Sequence, residues 1–141
     1  MIFGRTSLLH LATCDKRMQA VANRAIGWQI YDFSVICGHR SQDQQLIEYR
    51  AGRSQLDGVL KRSKHNLAPA LAFDLLPWPA WVNGLNVWDD HQRFHVLAGI
   101  ILAAGRVEGV PIRWGGDWDG DGNNLDSSLH DLPHFEILAD A

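Results

Sequence analysis

The chain has 141 residues, 46% of them apolar and 21% charged, which is enough for one compact domain with a real core. Its formal net charge of -3 excludes the general nucleic-acid affinity that a basic face would give. The longest apolar run, 95–105, is about half of what a bilayer crossing needs, so no membrane insertion is expected.

In chain order, Arg5 and His10 interrupt the apolar N-terminus and no small-residue cleavage site follows, so no secretory signal is predicted. Leu8, Leu11, Met18, Val21, Ala22 and Ala25 recur at helical spacing, with a break near Asp15. "FSVICG" (33–38) alternates like a short strand. Ser41 is placed to cap a helix through "QDQQLIEYRAG", ended by Gly52. A polar loop runs to about Ala68 and holds Lys61, Arg62 and Lys64; with Arg50 and Arg53 they make a basic stretch that is either a solvated loop or a landing site for an acidic substrate. "PALAFDLLP" (69–77) reads as a buried strand carrying one charge, Asp74. A loop rich in Trp and Pro follows, then a helix from about Asp89 to Ala104 closed by Gly105. "VPIRWG" and "HFEIL" read as strands on either side of a long loop, "GDWDGDGNNLDSSLHD". Cys14 and Cys37 lack a paired spacing and read as reduced core residues. Short strands between long loops, without a regular βαβ alternation, predict an α+β domain with a small, mostly antiparallel sheet and flanking helices.

Asp74 raises the chemical question, because a desolvated carboxylate is costly unless it is paired, hydrogen-bonded or metal-bound. Strand alternation sends Ala72, Asp74 and Leu76 to one face, and on the last strand it separates His134 and Glu136 from Phe135 and Ile137. Together with His65 in "RSKHN", Asp74 and His134 form a two-histidine, one-carboxylate set that suits zinc and leaves a fourth position for water. Asp131 in "DLPHFE" lies three residues before His134, where a turn can aim it into the same cleft as a proton shuttle. Arg40 in "GHRSQDQ" is a reasonable donor to an anionic transition state, and Gln44 stands one helical turn later. Each piece also has a plain structural reading: Asp74 paired to an Arg, His134 an ordinary half-buried residue. His91 and His95 share helical i,i+4 spacing, but Gln92 stands where a helix-borne zinc protease needs a glutamate base, so they read as a surface pair or one facing the core edge. Six tryptophans, Trp28, Trp78, Trp81, Trp88, Trp114 and Trp118, are scattered along the chain and read mostly as core or cleft wall, with a sugar-binding platform as the alternative. Asp117, Asp119 and Asp121 alternate before Gly122 like the first half of a calcium loop; position twelve is Ser128, with Asp126 as a substitute ligand, and a polar turn is the other reading.

"GHRSQDQ", "SKHNLAPALAFDL", "RWGGDWDGDG" and "DLPHFEI" together resemble the zinc peptidases of bacterial cell walls: D-alanyl-D-alanine carboxypeptidases and dipeptidases, and the phage L-alanyl-D-glutamate endolysins. The resemblance spans about residues 8 to 138. It implies a hedgehog/DD-peptidase-like fold over a single catalytic domain, 1–141, with His65, Asp74 and His134 as zinc ligands. It makes Asp131 the catalytic base, Arg40 the substrate or transition-state donor and Gln44 a supporting residue. Asp74 comes nine residues after His65, where many members place it seven after; the longer interval is similar to phage members. The activity implied is zinc-assisted hydrolysis of a peptidoglycan stem-peptide amide, L-Ala–D-Glu first, with a D-Ala-D-Ala carboxypeptidase or a non-catalytic zinc or wall-binding domain as alternatives. It further implies a monomer held in the host cytoplasm that reaches the wall after the membrane is opened. Calcium regulation through the 117–121 aspartates belongs to the same set of expectations.

Overall fold

The computed structural model describes residues 1–54, 56–58, 63–123 and 130–138. Helix α1 (Arg5–Leu11) is short. Helix α2 (Lys16–Gly27) starts afresh where the Asp15 carboxylate accepts the Arg17 backbone N–H at 2.9 Å, which is the expected break. Met18, Val21, Ala22, Ala25 and Ile26 form the buried stripe of α2. Strand β1 (Phe33–Cys37) leads to α3 (Gln42–Arg50), which Ser41 and Gln44 close with a reciprocal capping box. After β2 (Ala72–Pro77), β3 (Trp81–Val82) and β4 (Leu85–Asn86) come the long helix α4 (His91–Glu108) and the strands β5 (Ile112–Trp114) and β6 (His134–Ile137).

The main sheet has the order β1-β2-β6-β5 and every pairing in it is antiparallel, as the sequence predicts. Helix α4 packs on β2 and β5, and α2 packs on α4. Phe73, Leu75, Phe135 and Ile137 point into this layer and meet Met18, Val21, Phe94, Leu97 and Ile101, all within the buried core. Because the side-chain period is two, the opposite face carries Asp74, paired with His134, and Ala72, paired with Glu136. Arg113 lies across from Glu136 on the same face. A bulge between Val35 and Cys37 brings Cys37 opposite Asp74 and turns the following chain over this face.

Two elements differ from the sequence reading. The Trp- and Pro-bearing loop contains the hairpin β3–β4, whose two-residue turn is Asn83-Gly84 with φ of 51° and 77°. Asn-Gly is the preferred pair for such a turn, so the signal was present. Helix α4 runs through Gly105 and ends at Gly109, which has φ 69°. Gly105 serves close packing instead: a Cβ there would lie 2.9 Å from Ile112 Cγ1 and from the Val110 carbonyl oxygen. Gly105→Ala should therefore lower stability by about 1–3 kcal/mol. Gly99→Ala, on the same helix with open space around it, should raise stability by up to about 1 kcal/mol. Thermal and urea unfolding of the two variants checks the contrast, and equal effects would contradict it.

Candidate metal centre

His65 lies in a 3₁₀ turn (Lys64–Asn66), where the Ser63 hydroxyl accepts its backbone N–H. The turn places its ring over the centre of β2. His65 Nε2 stands 3.2 Å from Asp74 Oδ1 and 3.2 Å from His134 Nδ1, and His134 Nδ1 stands 3.3 Å from Asp74 Oδ1. Three donor atoms thus form a near-equilateral triangle. Ligands about 2.0–2.1 Å from a tetrahedral zinc lie roughly 3.3–3.4 Å from one another, so the triangle has the dimensions of one tetrahedral face. The Asp74 side chain is 14% exposed, which leaves the cluster reachable from one side.

The outer nitrogens of both rings are occupied. His65 Nδ1 lies 2.8 Å from the Gly38 carbonyl oxygen and donates to it, which leaves Nε2 to offer its lone pair. His134 Nε2 lies 2.8 Å from Glu136 Oε1, a carboxylate that fixes the tautomer presenting Nδ1 to the triangle. Glu136 is held in turn by Arg113 Nη2 at 2.8 Å and Lys64 Nζ at 3.1 Å. Burial works against its charge, but bonds from His134 and Arg113 outweigh that and pull its carboxyl down to about 2.

Electrostatics draw positive charge to the same place. Burial opposes ionisation of Asp74, yet the His65 and His134 rings outweigh it and hold the carboxyl well below the usual range. Burial likewise opposes charging of both rings, and Asp74 raises them nonetheless. Such a spot suits a divalent cation. Cys37, His65 and Asp74 form a second group that could hold a metal ion. Its thiol, however, sits 3.9 Å from His65 Nδ1, the nitrogen already committed to Gly38. The triangle with His134 is the tighter set. Cys37 is therefore a half-buried neighbour of the cluster, whereas Cys14 is the core thiol expected, pushed up to about 11 by burial.

Arg40 reaches the cluster and is engaged there. Its Nη2 donates to Asp74 Oδ2 at 3.3 Å and to Cys37 Sγ at 3.6 Å, and its Nη1 donates to Gln45 Oε1 at 2.9 Å. Gln44, the expected supporting residue, is exposed and spends its side chain on the Ser41 backbone N–H at the helix cap. Gln45 takes that place instead: it is fully buried and donates to Ser54 Oγ and the Leu56 carbonyl. One residue along a helix is a 100° turn, so Gln44 and Gln45 cannot face the same side. Asp131 sits in the turn before β6, with its backbone N–H on the Gly115 carbonyl at 2.9 Å. Burial and then the Asp74 charge raise its carboxyl above the ordinary value, while His134, His65 and Arg40 pull the other way. It therefore feels the cluster's charges. A Cβ on Gly115 would lie 2.1 Å from the Asp131 carbonyl oxygen, so this glycine permits the approach.

Other expected residues lie elsewhere. His91 is exposed and accepts, through its carbonyl, a bond from His95 Nδ1; the His95 ring packs edge-on against Trp114. Of the basic stretch, Arg53 pairs with Glu48, Arg50 is exposed and Lys64 supports Glu136, while Lys61 and Arg62 fall outside the described residues. Asp117, Asp119 and Asp121 do come together, with an oxygen from each within 4.8 Å of the others. Asp126 and Ser128 fall outside the described residues.

Two imidazoles and one carboxylate, braced by outer hydrogen bonds, make a donor set that could hold one metal ion. Comparison with known proteins narrows the class. A model of the phage L-alanyl-D-glutamate peptidase family matches residues 1–138. The L-alanyl-D-glutamate peptidase of Escherichia phage T5 is 30% identical over 139 residues, covering 96% of this chain and 97% of that protein. The crystal structure of the Serratia marcescens L-Ala D-Glu endopeptidase ChiX superposes with a TM-score of 0.74 at 28% identity, over 97% of this chain and 90% of that one. The chain belongs to the phage L-alanyl-D-glutamate peptidase family.

The two neighbouring glutamines separate a cap from a brace. Gln44→Ala should cost about 0.5–1 kcal/mol, as loss of a helix cap does. Gln45→Ala should cost about 1–3 kcal/mol, because it strands buried partners, and it should also loosen Arg40. Chemical denaturation measures both, and a larger loss at Gln44 would reverse the assignment.

Proposed function

We propose that the chain cleaves the L-alanyl-D-glutamate amide of the peptidoglycan stem peptide with one zinc ion held by His65 Nε2, Asp74 Oδ1 and His134 Nδ1. The donor triangle of 3.2, 3.2 and 3.3 Å carries this reading. Family membership and the two named peptidases support the substrate. When bound, zinc supplies Lewis-acid polarisation of the scissile carbonyl and makes water acidic enough to attack near neutral pH. Asp131 takes the attacking water's proton on its carboxylate and delivers it to the leaving amine nitrogen; its raised affinity for protons suits that exchange. Arg40 holds Asp74 in place. A guanidinium has five N–H donors, more than its three contacts use, so it also serves as donor to the substrate or to the developing oxyanion. Glu136 keeps His134 in the ligating tautomer.

In this reading residues 1–141 act as one catalytic unit and as a monomer. No described helix is long and apolar enough to cross a membrane. The protein meets its substrate from the host cytoplasm once the membrane has been opened.

Mass spectrometry of digested peptidoglycan should show new glutamyl amines, with L-alanine left on the muramyl side. Release of terminal D-alanine alone would make the protein a carboxypeptidase instead, and intact wall beside bound zinc would make it a non-catalytic domain. Metal analysis should find one zinc in the wild type and little in His65→Ala, Asp74→Ala or His134→Ala. Asp131→Ala should keep its zinc and lose about 10²–10⁴-fold in turnover. Full zinc occupancy in all three ligand variants would remove the assignment.

A second reading concerns calcium at Asp117, Asp119 and Asp121. Several of their oxygens serve the turn: Asp117 Oδ2 accepts from Gly122 N, Asp119 Oδ1 from Asp121 N and Asp121 Oδ1 from Asn123 N. Asp117 Oδ1, however, is buried without a hydrogen-bond partner among the described residues. We propose that these aspartates bind calcium weakly. Calorimetry should give binding heat at millimolar calcium, abolished in Asp117→Asn. Absence of heat would leave these aspartates as turn residues.

A further inference from the structure

Strand β2 carries Asp74 near its middle and runs on toward the hairpin. By alternation, Leu76 and then Trp78 follow Asp74 on the same face. The Trp78 backbone N–H donates to the Asp32 carbonyl at 3.0 Å, so pairing with the neighbouring chain continues past the strand end. A cavity of about 600 Å³ opens along this line, with Leu76, Trp78, Ser34 and Ile36 on the strand side and Arg5 and His10 from α1 opposite. Beyond it the hairpin and its base present three indoles that are mostly uncovered: Trp78 is 53% exposed, Trp81 62% and Trp88 51%. Leu85 and Val82 between them are exposed too. Most tryptophan is largely buried, and clustered exposed aromatics mark an interaction surface.

Charge separates the two ends of β2. Beyond Ala72, at its start, lies Glu136, held by Lys64 and Arg113, and Arg40 stands on Asp74 itself. At its end there is no Lys or Arg anywhere from Asn66 to Gln92, while Asp89 and Asp90 follow the last indole. An anionic bilayer calls for basic residues beside the aromatics, and this surface has none within the hairpin. A neutral partner with flat apolar faces and polar edges fits better, which is the chemistry of a hexosamine ring: C–H groups lie against an indole, and hydroxyls and acetamido groups meet the exposed Asn83 and the Arg5 and His10 side of the cavity.

We propose that the groove lined by Leu76 and Trp78, together with the Trp81 hairpin, binds the glycan strand of peptidoglycan while the stem peptide lies across the metal centre. This rests on the hydrolytic reading above. The substrate has matching polarity: the carboxylates lie on the D-glutamyl side of the cut bond, and the L-alanyl side leads through a lactyl group to the sugar. Two extended units place that sugar about 7 Å from the cut bond. Trp78 lies four residues after Asp74, a span of about 13 Å in extended chain, so the muramyl unit and its neighbour along the strand reach the indoles.

The test uses Trp78→Ala and Trp81→Ala, singly and together, all at exposed positions outside the metal centre. Activity is compared on a disaccharide-bearing muropeptide and on the same stem peptide without sugar. The double variant should lose about tenfold or more in kcat/KM on the former and change less than twofold on the latter. Wild type, and not the double variant, should also sediment with glycan strands stripped of their peptides. Equal losses on both substrates, no loss on either, or wild type that fails to bind stripped glycan would overturn the proposal. Retention on phosphatidylcholine vesicles without glycan binding would assign the hairpin to a membrane. Wild type that cuts neither substrate defeats the hydrolytic reading, and glycan binding lost in the double variant still upholds this one.

Discussion

Asp74 and His134 face each other across an antiparallel strand pair, and the rest of the site is arranged around that one register. The same pairing seats Phe73 against Phe135 on the opposite face, where both are fully buried. A slip of β6 by one residue would send Phe135 to the polar side and His134 into the core, away from Asp74. Core packing and site geometry are therefore one constraint. Burial of the aromatic face holds the register, and the register sets the distance between a carboxylate and an imidazole.

Keeping a carboxylate on a mostly buried strand requires compensation from several directions. Asp74 receives it from two rings and a guanidinium, and each of these is braced by something further out: His65 by the Gly38 carbonyl, His134 by Glu136, Arg40 by Gln45. The braces come from the residue after a bulged strand, a capped helix and the inner strand β6, elements far apart in sequence. Close approach of backbone makes one of these supports, and the seat of Asp131, possible. A Cβ on Gly38 would lie 2.3 Å from the His10 carbonyl oxygen, and one on Gly115 would meet the turn that holds Asp131. Preorganisation of this sort is what a hydrolytic centre needs, because ligands held in place by neighbours cost little to arrange when substrate arrives.

The strand that supplies Asp74 also organises the surface around it. Cations gather toward its start and exposed indoles follow its end. The polarity arises from local sequence, because the chain from Asn66 to Gln92 contains no Lys or Arg.

Much of this was legible in the sequence because it depends on local pattern. Alternation around Asp74 and around His134 and Glu136 marked two strands with a polar face, and Asp15, Ser41 and the helical stripes marked the helices. The motifs singled out His65, Asp74, His134, Asp131 and Arg40, which lie within one electrostatic neighbourhood in the fold. Tertiary structure alone decided which atoms meet. It put Gln45 rather than Gln44 beneath Arg40, since only buried surroundings show which helix face is turned inward. It made Glu136 the partner of His134, and it made Gly105 a packing position instead of a helix end, because Ile112 returns against it from a later strand. Residue type and spacing determine what a segment can offer; the long-range pairing of strands determines what that offer touches.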